Sequence, residues 1–351
     1  MNRKILGGIV IIILITASLL VGCSTDILPS QTSGSGDNTP TVQPTIEPAS
    51  NTIEPSPAVS PEESSTGGWT VVLDTQISHE TYIEGFLNEK HGITVGYGGE
   101  IHYTNDGGKT WPKGENKSMC RYCLDIVDED VSWCSGNGNQ VRVTRDGGKT
   151  WTAVSDINLL SAHSNIDFLD DTTGWISTLT SCAATKDGGV TWTELTLHED
   201  SRGIAAICLR TPQDAYILKY DGLFFTTSDG GDTWSKEDLG FSEYGIFDKA
   251  KNPGLNKSKI ALADISFSDE DNGLIVFTDL DPDKTSTTWC MTTSDGGTTW
   301  EAEKLSTPDG FSPEKVFISG DGKYLTLGNL DKRLIVMKRE QTGDDTMSGE
   351  K

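Results

Sequence analysis

The chain has 351 residues, 28 Lys and Arg against 52 Asp and Glu, and a formal net charge of −24 at pH 7. So acidic a balance offers no Lys/Arg stripe to displace counterions from nucleic acid or to dock on anionic lipid, which excludes nucleic acid as a partner. Nine Trp in a chain that is 23% charged exclude wholesale disorder.

Residues 1–22 read as a signal peptide. Asn2-Arg3-Lys4 is a short basic start, and Ile5 to Leu20 is apolar and uncharged. Leu20-Val21-Gly22-Cys23 closes the segment. A Cys directly after Gly22 resembles the lipobox of bacterial lipoproteins. The resemblance implies cleavage before Cys23, lipidation of its thiol, and a location on the extracytoplasmic face of the cell membrane, held by the lipid anchor alone. The alternative is an uncleaved span, for which the stretch from Ile5 to Gly22 is short.

Residues 24–68, behind Cys23, read as a tether. They hold seven of the 13 Pro, nine Ser and seven Thr, with no aromatic residue and no Lys or Arg. Such a segment buries too little apolar surface to offset the entropy of ordering. As a flexible coil it spans about 40 Å.

From residue 69 the chain is a repeat. Thr104-Asn-Asp106-Gly-Gly-Lys-Thr110-Trp111 returns at Asp146 with Trp151, Asp187 with Trp192, Asp229 with Trp234 and Asp295 with Trp300. The first four aspartates are almost evenly spaced, and the fifth follows a longer interval. This looks like the Asp-box, or bacterial neuraminidase, repeat. Asp-Gly between two β runs is a turn signal, Gly supplies positive φ, and the Asp accepts hydrogen bonds across the turn. These aspartates and tryptophans are therefore read as structural, with none catalytic.

A second unit precedes each box. Phe168-Leu-Asp-Asp-Thr-Thr-Gly174-Trp175 aligns without gaps to segments starting at Phe86, Ile126 and Phe267, and also to Phe317–Tyr324. Ile207 to Tyr216 fits with extra residues. The unit reads as a hairpin with an acidic turn. About 40 residues holding four short strands make one blade of a β-propeller. The fold expected is all-β, a single propeller of six four-stranded blades over 69–340, with seven blades as the alternative. Residues 69–75 look like the strand that follows a box, and so complete the sixth blade and close the ring. Residues 341–351 are a polar tail.

Where the repeat is interrupted, function is sought. The inter-blade segment Ser235 to Ala263, with Tyr244, Phe247 and Lys249, and the loop Thr278 to Thr288, with Asp279, Asp281 and Asp283, both belong to the face opposite the boxes and flank blade five. This upper face is the candidate binding surface for a protein or glycan, the plain alternative being an elaborated loop. Asp279-x-Asp281-x-Asp283 hints at calcium, but Lys284 and Cys290 stand where an EF-hand loop needs Gly and Glu. No metal or other cofactor is expected. Cys123 and Cys134 sit symmetrically about Asp128-Glu129 and are the disulfide expected in an oxidising compartment. Cys182 and Cys290 fall in different blades and are not expected to pair. Cys120-x-x-Cys123 has no second pair to make a zinc site.

The propeller also resembles sialidases, whose chemistry requires an arginine triad. Between Arg3 and Arg121 the chain has no arginine, so a carboxylated sugar has no clamp. Xyloglucanase-type relatives use two propellers, for which the chain is too short. A carbohydrate hydrolase working with paired carboxylates stays open as the enzymatic alternative. The acidic-turn unit followed by Asp-Gly-Gly-Lys-Thr-Trp resembles the photosystem II stability/assembly-factor propellers and, more loosely, sortilin domains. That resemblance covers the whole repeat region, 69–340, and implies the propeller fold and the binding of other proteins. A photosystem II assembly role is the third possibility.

Overall fold

A computed structural model describes residues 68–340 apart from 80, 97, 116–119, 137–139, 157–164, 198–202, 240–259, 280–286, 309, 310 and 330. The signal segment, Cys23, the tether and the polar tail lie outside the described residues.

The described chain is all-β and forms six antiparallel sheets. Blade one has β2 (Ile83–Phe86), β3 (Gly92–Val95) and β4 (Ile101–Thr104). Blade two has β5 (Cys120–Ile126), β6 (Val131–Gly136), β7 (Gln140–Arg145) and β8 (Thr152–Asp156). Blade three has β9 (Asn165–Phe168), β10 (Gly174–Ser177), β11 (Cys182–Thr185) and β12 (Thr193–Leu195). Blade four has β13 (Ile204–Leu209), β14 (Ala215–Lys219), β15 (Leu223–Thr227) and β16 (Ser235–Asp238). Blade five has β17 (Ile260–Phe267), β18 (Gly273–Asp279), β19 (Thr287–Thr293) and β20 (Glu301–Lys304). Blade six has β21 (Lys315–Ile318), β22 (Tyr324–Gly328) and β23 (Arg333–Arg339), and takes its fourth strand from β1 (Trp69–Gln76). The first strands touch in the order β2, β5, β9, β13, β17, β21 and back to β2, so they form the inner ring around the axis.

Blade count and closure therefore follow the repeat, with two refinements. In blade one the fourth position is filled only by residues 112–114. The Tyr103 N–H donates to the Pro112 carbonyl at 3.1 Å, and the Gly114 N–H to the Ile101 carbonyl at 2.9 Å. Pro112 lacks a donor, which limits a strand there. In blade six the hairpin is one residue longer. Ile318, not Phe317, stands opposite the second strand where Phe168 stands in blade three.

Each blade is too thin to bury its own faces, so the core is divided among the joints. Among the described residues six apolar clusters form, one between each pair of consecutive blades. Rings cross these joints in parallel. Trp133 of blade two stacks on Phe168 of blade three at 3.8 Å and 8°, and Tyr216 of blade four on Phe267 of blade five at 3.7 Å and 7°. The outer strands carry charge instead: β16 is Ser-Lys-Glu-Asp and fully exposed, and β20 is Glu-Ala-Glu-Lys. Charged outer strands resist lateral pairing with other chains.

Candidate functional site

The lower face is occupied by its own hydrogen bonds. In the first box the Thr104 hydroxyl donates to Asp106 Oδ1 at 2.8 Å, and the Thr110 N–H donates to the same oxygen at 2.9 Å. The Thr110 hydroxyl donates to Oδ2 at 2.6 Å, and the Gly108 N–H to Thr104 Oγ1 at 2.9 Å. The same four bonds recur around Asp146, Asp187, Asp229 and Asp295. The donors stabilise the carboxylate. The Thr110 hydroxyl above all holds Asp106 down to about 2, and the Thr233 hydroxyl does the same for Asp229. Both glycines of each box have φ between 69 and 94°. Box and acidic turn are also tied together. The N–H of Gly107, Gly147, Gly188, Gly230 and Gly296 each donates to a carbonyl of the hairpin turn beside it, at 2.8–3.0 Å. Trp151 is buried, while Trp111, Trp192, Trp234 and Trp300 are half-buried. The indole N–H of Trp151, Trp192 and Trp300 donates to a box glycine carbonyl.

The inner ring holds a feature that box-level reading missed. An inner strand has one edge facing the axis, where its N–H groups have no neighbouring strand. The residue one before the ladder's lower end is Gly85, Asp125, Asp167, Cys208, Ser266 and Phe317 in blades one to six. Asp125 accepts from the Phe168 N–H of the next blade at 2.8 Å, and Asp167 from the Leu209 N–H. Cys208 holds this place in blade four, where burial and the neighbouring carboxyls push its thiol well above the usual range. Ser266 turns instead to the Gly320 carbonyl, at 3.0 Å, and Asp264 two residues earlier takes the Ile318 N–H at 2.7 Å. In blade one Thr326 Oγ1 accepts from the Phe86 N–H at 3.0 Å.

Asp125, Asp167 and Asp264 are half-buried on the inner strands and lose much of their solvation there. Loss of solvation, with the other carboxyls as like charges, pushes Asp125 well above the usual carboxylate range. Loss of solvation pushes Asp167 and Asp264 up to about 7, against the N–H bonds they accept. Where blade six meets blade one, the Lys315 ammonium of β21 donates to the Thr81 carbonyl and hydroxyl at 2.8 Å and to Glu84 at 3.1 Å. No local motif marks these acids: a lone Asp in a short strand has no signature, and its partner lies a whole blade further along the chain.

At the upper face, blade five is taller than its neighbours. β17, β18 and β19 have eight, seven and seven residues, against six, five and five for β13, β14 and β15 of blade four and four, five and seven for β21, β22 and β23 of blade six. The two sequence insertions are correspondingly shorter. Ser235–Asp238 is strand, as is Ile260 onward, which leaves the break at 239–259. Pairing of Asp279 with Thr287 narrows the second break to 280–286. Asp279 ends β18, with its side chain outside the description; Tyr244, Phe247, Lys249, Asp281 and Asp283 lie outside the described residues.

The expected Cys123–Cys134 disulfide is corrected. Cys123 is a free, buried thiol, whereas Cys134 is disulfide-bonded. The hairpin pairs Leu124 with Cys134 and Cys123 with Ser135, because its turn is centred on Glu129. That one-residue difference puts the two sulfurs on opposite faces of the sheet. Cys123 accordingly packs in the joint with blade three and Cys134 in the joint with blade one. Cys182 and Cys290 are free and buried.

No family model and no curated protein matches this chain. Among solved structures, it is similar to virginiamycin B lyase from Staphylococcus aureus, with a TM-score of 0.51 at 10% identity over 77% of this chain and 99% of the other. A streptogramin B lyase gives 0.50 at 11% identity, covering 77% and 97%. YCF48 from Cyanidioschyzon merolae gives 0.48 at 16%, covering 78% and 98%, and YCF48 bound to D1 peptide gives 0.49 at 16%, covering 80% and 98%. At these identities the two lyase likenesses carry the propeller fold and nothing finer.

Proposed function

We propose that this chain is a lipid-anchored extracytoplasmic module whose upper face binds a protein or glycan ligand. The observation that carries the reading is the asymmetry of the two faces. The lower turns are repeated from blade to blade and bonded to themselves. The upper end departs from the repeat at blade five, where longer strands lead into segments 240–259 and 280–286. Those segments bring Tyr244, Phe247 and Lys249, and Asp281 and Asp283, the mix of aromatic and charged groups that recognition surfaces favour. Anchoring at Cys23, followed by the Pro-rich stretch, would hold that face off the membrane.

The test is capture of biotinylated surface proteins and arrayed glycans by the full chain and by a variant lacking 240–258. The variant should melt cooperatively and lose capture; unchanged capture would overturn the reading. Turnover of a glycoside in a parallel screen would favour the hydrolase instead. Globomycin should leave the unprocessed precursor, and normal processing in its presence would remove the anchor from the proposal.

A further inference from the structure

We propose that Asp125, Asp167 and Asp264 form a pH-responsive clasp of the inner ring: crowding on the axis keeps protons among them, and drawing those protons off weakens the joints between blades. The geometry has three parts. Each carboxyl belongs to one blade and holds an N–H of the next: Asp125 joins β5 to β9, Asp167 joins β9 to β13, and Asp264 joins β17 to β21. All three lie on inner strands, near enough for their charges to act on one another. The Cys208 thiol of β13 feels all three charges, with Tyr216 of β14 behind it, and brings no cation. Lys315 of β21 is already bonded to Thr81 and Glu84.

A carboxylate accepts an N–H more strongly than a carboxyl does, so one charge in the ring is tolerated. A second and a third enter the same desolvated ring without a cation, and repulsion then outweighs the gain. The protons leave in steps that belong to the set rather than to single residues. The joint at Cys208 does not share this response, because burial and the surrounding carboxyls keep its thiol protonated.

The sign follows from linkage. These carboxyls hold protons in the folded ring at a pH where the unfolded chain has lost them. Their contribution is therefore full at low pH and declines as pH rises from about 4 through about 7. Melting temperature should fall between about pH 5 and about pH 8, and Asp167→Asn, which keeps an acceptor but cannot ionise, should lose at least about half of that fall. Glu84 slopes in the same direction and is present in both proteins, so the difference isolates the clasp. Asp106→Asn, in a box whose carboxylate ionises far lower, should leave the slope unchanged.

Two measurements on the unmodified protein guard against a variant that fails to fold. Its infrared spectrum at about pH 6 should show the carbonyl band of buried protonated carboxyls, fading by about pH 9. Exchange of the Phe168, Leu209 and Ile318 amides, corrected for base catalysis, should accelerate over the same range while that of Phe267 does not. Equal slopes in Asp167→Asn and the unmodified protein, or no protonated band at about pH 6, would overturn the clasp.

Discussion

A Cβ on Gly174 would lie 2.3 Å from the ring of Phe168, which explains the Gly of the acidic-turn unit. The same collision, at 2.8 and 2.5 Å, arises between Gly92 and Phe86 and between Gly273 and Phe267. In blades two, four and six the inner residue is Ile126, Leu209 or Ile318, and its cross-strand partner is Ser132, Ala215 or Leu325. Ring against glycine alternates with aliphatic against side chain around the propeller. Gly174→Ala should therefore cost about 1–3 kcal/mol in denaturant unfolding. Adding Phe168→Leu should recover part of it, and strict additivity would refute a steric cause. The pairing is visible in the sequence as Phe-x5-Gly, but its reason is not, because the ring and the glycine meet across a hairpin. The cysteines mark the same limit. The Asp128-Glu129-Asp130 turn allows centring on a bond or on a residue, and the choice decides which sulfurs share a face. Reductant should lower the melting temperature of the unmodified protein and of Cys123→Ser, by the equivalent of about 2–4 kcal/mol, and leave Cys134→Ser unmoved. A reductant-insensitive Cys123→Ser would restore the pairing expected from symmetry.

Elements that close the ring are tied by side chains as well as by backbone pairing. β1 pairs with β23 from Trp69 opposite Arg339 to Gln76 opposite Arg333, with a bulge between Val71 and Leu73. Arg333 grips Asp74 with two N–H groups at 2.7 and 2.8 Å, and Lys338 reaches Glu89 at 2.6 Å. The Lys315–Glu84 pair joins the first and last inner strands, with side chains 11% and 1% exposed. Removing one partner leaves the other buried without compensation, so Lys315→Met should cost about 3–5 kcal/mol near neutral pH. Burial already raises the Glu84 carboxyl, so in that variant it takes up a proton on acidification and the loss shrinks. A cost below about 1 kcal/mol would show the pair to be dispensable. His79, just past β1, stacks on His102 at 3.9 Å and bonds Thr94 Oγ1 at 2.7 Å. Burial, then the charge of His102, lowers His79 to about 4. Unfolding lets it bind a proton below its usual 6.5, so its contribution is full above that value and is lost as pH falls toward about 4. Chemical denaturation across that window should show His79→Gln gaining stability relative to the unmodified protein as pH falls, and identical pH profiles would release the stack from this role.

At the scale of the whole molecule, the architecture was legible because each blade repeats a local solution. The Thr-x-Asp-Gly-Gly-x-Thr-Trp turn satisfies itself locally, so five copies announced the fold and the odd strand at 69–75 announced its closure. The clasp carboxyls were not legible, since their partners are chosen by ring geometry rather than by neighbours in sequence. The same geometry makes the propeller a cooperative unit despite its modular blades. Every apolar cluster is shared between blades, and the two joints of blade six are complete only if β1 returns to β23. Trp69 is 0% exposed there, so Trp69→Ala should cost about 3–5 kcal/mol. A chain starting after Gln76 should lose more, because β23 becomes a bare apolar edge carrying Leu334, Ile335, Val336 and Met337. That chain should unfold at lower temperature and aggregate, and a peptide of the sequence of residues 69–76 added in trans should restore the transition in proportion to its concentration. If the shortened chain melts like the full one, with no response to the peptide, then the four joints without β1 suffice and closure by β1 contributes little to the stability of the ring.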